Sequence, residues 1–285
     1  MVDHVLKMKE GDEVLMDVSV AEASKLRKFY LNNEKWLLGI LSVGLFLSTW
    51  EIIGGFNIIN PIFLSYPTAI ARAGYNMFAS GEIYRDLGVS GTEFIIGYGL
   101  AVVTGVPVGI LAGWYRRLNH IIDPYLSALY ATPRVALLPL IIIWVGIGIW
   151  SKIVIVFLGA FFPICINALS GVKTVEEKFL KAAVSFGADD YKIFKSVVLP
   201  SSVPFILTGL RLGVGRALVG VVVGELYAAT AGIGFLITVA GATFQTDKVF
   251  VGVILIAAFG VLFMEILTRI ERKFETWRPK VGAAQ

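Results

Sequence analysis

Charge, cysteine and histidine are all scarce in this chain of 285 residues: 16% of them are charged, with one cysteine and two histidines. A lone cysteine, Cys165, excludes an internal disulfide, and it lies in an apolar run that offers a thiol no redox chemistry. His4 and His120 are far apart in sequence, and no Cys/His or clustered Asp/Glu spacing suggests a metal. No Ser/His/Asp arrangement suggests catalysis, so we expect no catalytic residue, no metal site and no cofactor in this chain. The phosphate-cradling pattern G-x-x-x-x-G-K-[ST] is also missing, so a nucleotide would have to be bound by another chain. The net charge is +4, without a strongly basic or acidic tail, which argues against a nucleic-acid partner. Residues 1–33 are polar and mixed in charge where a signal peptide would place its apolar core, and none is expected.

What the chain has in abundance is apolar residue, 56% of the total, with a mean hydropathy of +0.77. It is gathered in blocks of roughly 20 residues, the length of a helix that crosses a bilayer core. The composition predicts an all-α polytopic membrane protein with about six transmembrane helices. We place them at Trp36 to Ile53, Phe94 to Trp114, His120 to Trp150 (kinked at Pro133-Arg134 and Pro139), Ile153 to Leu169, Phe205 to Tyr227 and Val249 to Leu267. Gly54 to Glu93 and Ala228 to Lys248 are expected as loops. Residues 1–35 form a polar tail, in which Asp17 to Tyr30 is either a short interfacial helix or loosely ordered; 36–270 is the transmembrane domain, and 271–285 a second tail. Of the 25 basic residues, 18 fall on the tails, on Arg116-Arg117 and on a polar island at 172–204, while Arg72, Arg85, Lys152 and Lys248 fall on the other side. This bias puts both termini and the island in the cytoplasm.

The island is the one substantial polar stretch between spans. Val175, Phe179, Ala182, Ala183 and Phe186 recur at helical spacing and predict a helix with one apolar face. Gly187 suits the left-handed residue that closes a helix, and Asp189 can cap a second one running through Leu199. Pro200 and Pro204 are expected to end that second helix. On pattern alone, an ordinary solvated loop remains the alternative.

The spacing Ala182-Ala183, Gly187, Val197, Leu199-Pro200 resembles the EAA loop of ABC importer membrane subunits, with Lys181 where that motif has Glu. Other stretches are similar to permeases for nitrate, sulfonates, taurine and bicarbonate. These are Phe63-Leu64-Ser65-Tyr66-Pro67, Gly109-Ile110-Leu111-Ala112-Gly113, Ala136-Leu137-Leu138-Pro139-Leu140, Trp144-Val145-Gly146-Ile147-Gly148 with Ser151-Lys152, and Gly209-Leu210-Arg211. The resemblance implies a type I importer fold in a prokaryotic inner membrane. It also implies a homodimer, two ABC ATPase subunits that bind ATP and Mg, and an external substrate-binding protein. Lys181, Ala182, Ala183, Ser185, Gly187, Asp189, Leu199 and Pro200 would form the ATPase-coupling loop. The rival reading, a self-sufficient secondary transporter or channel, would call for inverted repeats and acids deep in the spans. No repeat is found and such acids are few.

Three ionisable residues fall within the fifth span. Arg211 and Arg216 are candidates either for the translocation path of an anion or for structural contacts inside the bundle, and Glu225 lies near the other end. Arg211 is also placed to reach the cytoplasmic interface, and the two arginines are five residues apart, too far around the helix for one clamp. Glu93, with Glu225, is a candidate contact for the binding protein. Gly209/Gly213 and Gly220/Gly224 allow close helix packing, within the subunit or across a dimer seam.

Overall fold

A computed structural model describes residues 33–56, 58–60 and 62–274; the tail segment around Asp17 to Tyr30 lies outside them. The described residues are helical, with no strand. The helices are α1 (Asn33–Gly55), α2 (Pro67–Ala79), α3 (Glu82–Trp114), α4 (Arg116–Ala131), α5 (Leu138–Val145) and α6 (Ile149–Lys173). They continue with α7 (Glu177–Ser185), α8 (Asp190–Ile193), α9 (Leu199–Ala228), α10 (Ile233–Ala242) and α11 (Thr246–Phe274). Five helical stretches are long and apolar enough to cross a membrane, and six if the bent pair α4–α5 counts as one span.

The chain divides into two compact units, Met1–Thr68 and Ala69–Gln285. In the first, the Trp50 indole at the end of α1 donates to the Ser65 carbonyl at 2.7 Å. Glu51 accepts from the amide and the hydroxyl of Thr68 at 3.0 and 2.5 Å. These bonds fold the Pro-rich stretch after α1 back along the helix end.

In the second unit, α6 is the central post, packed along its length by α3 on one side and α9 on the other. Phe94 and Ala101 of α3, Val156, Ala160 and Ile164 of α6, and Val214, Ala217 and Val221 of α9 make the largest core cluster. The approach is close because the facing positions are small. A Cβ on Gly109 of α3 would lie 2.3 Å from the Cys165 carbonyl oxygen, and one on Gly220 of α9 would lie 3.0 Å from the Val156 Cα. Gly209, Gly213 and Gly224 also face α6, so both glycine pairs of α9 pack within the subunit.

Four boundaries differ from the sequence expectation. The second span starts at Glu82, not Phe94, because Gly81 (φ 81°) makes the break and the polar first turns find partners inside the bundle. Pro200 and Pro204 do not end a helix: Asp190–Tyr227 is continuous, passing through a π-helical turn at Phe194–Val198. Pro200 falls in the first turn of α9 beyond that wider turn, where its missing N–H disturbs the helix least. The stretch 228–248, expected as a loop, contains α10, whose Ile233, Leu236 and Ala240 are buried. The last helix runs on to Phe274, past the expected tail boundary.

The glycine seam makes a direct prediction. Gly109→Val drives a side chain against a backbone carbonyl that cannot yield, and should cost about 1–3 kcal/mol. Gly99→Val points into open space and should leave the protein unchanged. Thermal unfolding of the two purified variants checks the contrast.

Candidate functional site

The polar island folds as a helix, a turn and a helix. The Gly187 amide donates to the Val184 carbonyl at 2.9 Å and the Ala188 amide to that of Ala183 at 3.0 Å. This paired closure needs a left-handed residue, and Gly187 supplies it with φ 73°. The Asp189 carboxylate then accepts from the Lys192 amide at 2.9 Å and caps α8.

The apolar face of α7 is not the expected one. Val175, Leu180 and Ala183 turn inward, onto Ile110, Val172, Ile193 and Val198. Phe179, Val184 and Phe186 project outward, Phe186 with 91% of its surface exposed. Lys181 is exposed and pairs with Glu177 one turn earlier at 3.2 Å. Such a pair is worth about 0.3–0.5 kcal/mol, so either member is readily released to a partner. Ala182 and Ser185 are exposed beside it, while Leu199 and Pro200 are half-buried at the root of α9.

A second feature lies at the bend between α4 and α5. Thr132 precedes Pro133, which favours extended backbone there, and the two helices meet at 90°. A single turn of 3₁₀ helix, Arg134–Leu137, follows. The bend opens an exposed cleft of about 370 Å³ lined by Tyr130, Arg134, Val135, Gly159, Arg216 and Val219, among others. Arg134 donates to the Gly159 carbonyl at 3.3 Å and stacks 5.4 Å over the Tyr130 ring. Arg216 lines the same cleft from α9. Arg134 escaped the sequence reading; an arginine directly after a proline inside an otherwise apolar segment was its only signal.

The remaining intramembrane charges are paired. Arg211 bonds Glu271 and reaches Thr268 of α11, so it ties two helices together while its side chain stays partly exposed. Glu93 is 0% exposed and lies 3.4 Å from the Lys152 ammonium. Glu93 is thus held inside the bundle rather than at its surface. Glu225, 1% exposed, accepts from the Ser90 hydroxyl at 2.5 Å and the Gly234 amide at 2.6 Å. Ser90 and Asp86 accept from the amides of Ile233 and Gly232. The first amides of α10 are thus capped by side chains of α3 and α9. Among the described residues no cluster of His, Cys, Asp or Glu could hold a metal ion.

A glycine-seamed bundle of membrane-length helices, with an exposed helical turn at one end and a cationic cleft at mid-depth, defines a polytopic membrane protein built around a solute-sized opening. Comparison with known proteins makes this specific. Residues 105–276 match the family described as the binding-protein-dependent transport system inner membrane component. The chain is 35% identical over 243 residues to the putative aliphatic sulfonates transport permease protein SsuC of Bacillus subtilis, covering 85% of this chain and 88% of the relative. It is 35% identical over 249 residues to the taurine transport system permease protein TauC of Escherichia coli, covering 86% and 90%. In fold it resembles a chain of the inward-facing MetNI methionine ABC transporter, with TM-score 0.59 and 19% identity over 67% of this chain and 95% of that one. The chain belongs to the binding-protein-dependent transport system inner membrane component family, and is a transport subunit rather than an enzyme.

Removing one partner of a buried ion pair strands the other. Lys152→Met should therefore cost about 3–5 kcal/mol, and pairing it with Glu93→Gln should restore most of that. Thermal unfolding of the single and double variants measures the difference; equal losses in both would show that the pair is not the source.

Proposed function

We propose that this chain is the membrane-spanning permease of an ATP-driven importer that carries a small sulfonate- or taurine-like anion into the cell. Nitrate- and bicarbonate-like anions belong to the same class. The solute is delivered by an external binding protein. Two copies of the chain pair, and two ABC ATPases, which bind ATP and Mg, drive the change between inward- and outward-open states. The termini and the island face the cytoplasm of a prokaryotic inner membrane, in keeping with the distribution of lysine and arginine.

One observation carries the coupling: Phe186 stands almost fully exposed beside the left-handed Gly187. An aromatic ring held out on a capped, rigid turn suits a partner's apolar cleft far better than it suits water. Lys181, Ala182 and Ser185 flank that ring and complete the docking face. Leu199 and Pro200 hold its root, and Asp189 fixes the direction of the returning helix. Two of the relatives carry sulfonate and taurine transport in their names, which supports the anion class.

Gly187→Val places a β-branched residue at a positive φ, a strain of about 1–3 kcal/mol, and Phe186→Ala removes the ring. Both should insert normally, lose co-purification with the cognate ATPase and lower ATP-dependent uptake about tenfold or more. Unchanged co-purification and uptake in both would overturn the docking.

A further inference from the structure

We infer that Arg134 and Arg216 together form an anion-binding station within the membrane, built for a solute oxyanion of the sulfonate type. This rests on the transport reading above and adds to it the residues that meet the solute. Lys152, Arg211 and Lys248 each have a carboxylate partner, namely Glu93, Glu271 and Glu82. Arg134 and Arg216 have none among the described residues, although they line one cleft. Two unneutralised guanidinium groups at mid-depth are costly unless an anion visits them. Arg216 is five residues beyond Arg211 and nine before Glu225, about 7 and 13 Å along α9. It is therefore remote from the polar groups at both ends of that helix.

The geometry of Arg134 points the same way. One Nη is taken by the Gly159 carbonyl, and rings of Tyr130 and Phe162 lie 5.4 and 5.5 Å from the guanidinium carbon. Its Nε is buried with no hydrogen-bond partner. That buried Nε is out of a solute's reach, and the second Nη is the donor left for an incoming oxyanion; an arginine fixed in this way loses little freedom on binding it. A cleft of about 370 Å³ falls within the range of small-molecule sites. Gly159 sets the spacing: a Cβ there would lie 2.8 Å from the Arg216 carbonyl oxygen, so any side chain would move α9 away from Arg134.

The test reads local charge without requiring transport. Val219 lines the cleft three residues after Arg216 and is 54% exposed. Val219→Cys in the purified full-length chain, in a neutral detergent, is reacted with two thiol reagents. One carries an ethylsulfonate, the other an ethyltrimethylammonium of similar size. Cys165 is buried, so the parent chain supplies the blank. The sulfonate reagent should react faster by about tenfold or more, and added methanesulfonate should slow it. Arg134→Gln with Arg216→Gln should abolish the preference, while Arg134→Lys with Arg216→Lys should retain most of it. A preference that survives the glutamine pair, or is lost equally in the lysine pair, would overturn the station. So would protection by short-chain phosphatidylglycerol but not by methanesulfonate, which would assign the charges to a lipid headgroup. Because no ATPase is present, a failed docking experiment and a failed station remain separate results.

Discussion

The bundle depends on how closely α6 is held. Gly97, Ala101, Gly105, Gly109 and Gly113 make a row at four-residue spacing down α3, and four of the five glycines of α9 (Gly209, Gly213, Gly220 and Gly224) face α6 from the other side. Within a bilayer there is no hydrophobic gain from helix association, because lipid is as apolar as leucine. Close backbone approach and dispersion must supply it. That geometry packs α3, α6 and α9 tightly along their lengths. The less tightly held parts are the bend between α4 and α5, the turn at Gly187 and the short α10. Each of these lies next to a polar feature.

The continuity of α9 connects those features. The stretch Asp190–Tyr227 leads directly from the turn after α7 into the bundle, interrupted only by the π turn. On the proposed docking, force applied at Phe186 reaches α8 through the capped turn. It then passes to Arg216 along one helix rather than through a chain of loops. The inward face of α7, Leu180 and Ala183, with Val175 just before it, rests on Ile110 and Val172. The turn is thereby anchored to α3 and α6 as well as to α9.

Much of this was legible beforehand, and the errors have physical reasons. Apolar blocks of bilayer length located five of the spans, and glycine, aspartate and alanine spacing located the turn at Gly187, because these signals are local. Pro200 and Pro204 misled because proline ends helices in general but is accommodated in a first turn or beyond a π turn. The start of α3 was missed because Asp86, Ser90 and Glu93 are polar in sequence, and only the fold supplies Lys152 and the amides of α10 to satisfy them. The same holds for α10, a Gly- and Thr-rich stretch whose helical start depends on caps from other helices. Arg134 and Arg216 are 82 positions apart, and no periodicity could bring them to one cleft.

The distribution of charge in depth gives these separate features one logic. At one end, Arg211 pairs with Glu271; at the other, Lys152 pairs with Glu93 while Glu225 accepts from Ser90 and the Gly234 amide. Pairing at both ends makes the bundle cheap to bury in lipid while leaving its ends mechanically defined. Within the bundle, the cations without a carboxylate partner among the described residues are Arg134 and Arg216, at the level where Gly159 lets α9 approach α6 and α6 offers Arg134 a carbonyl. A permease that merely excluded water would neutralise that pair as well. On the proposed function, leaving it unneutralised lets an anion arriving from the outer side meet attraction before it meets the apolar seam.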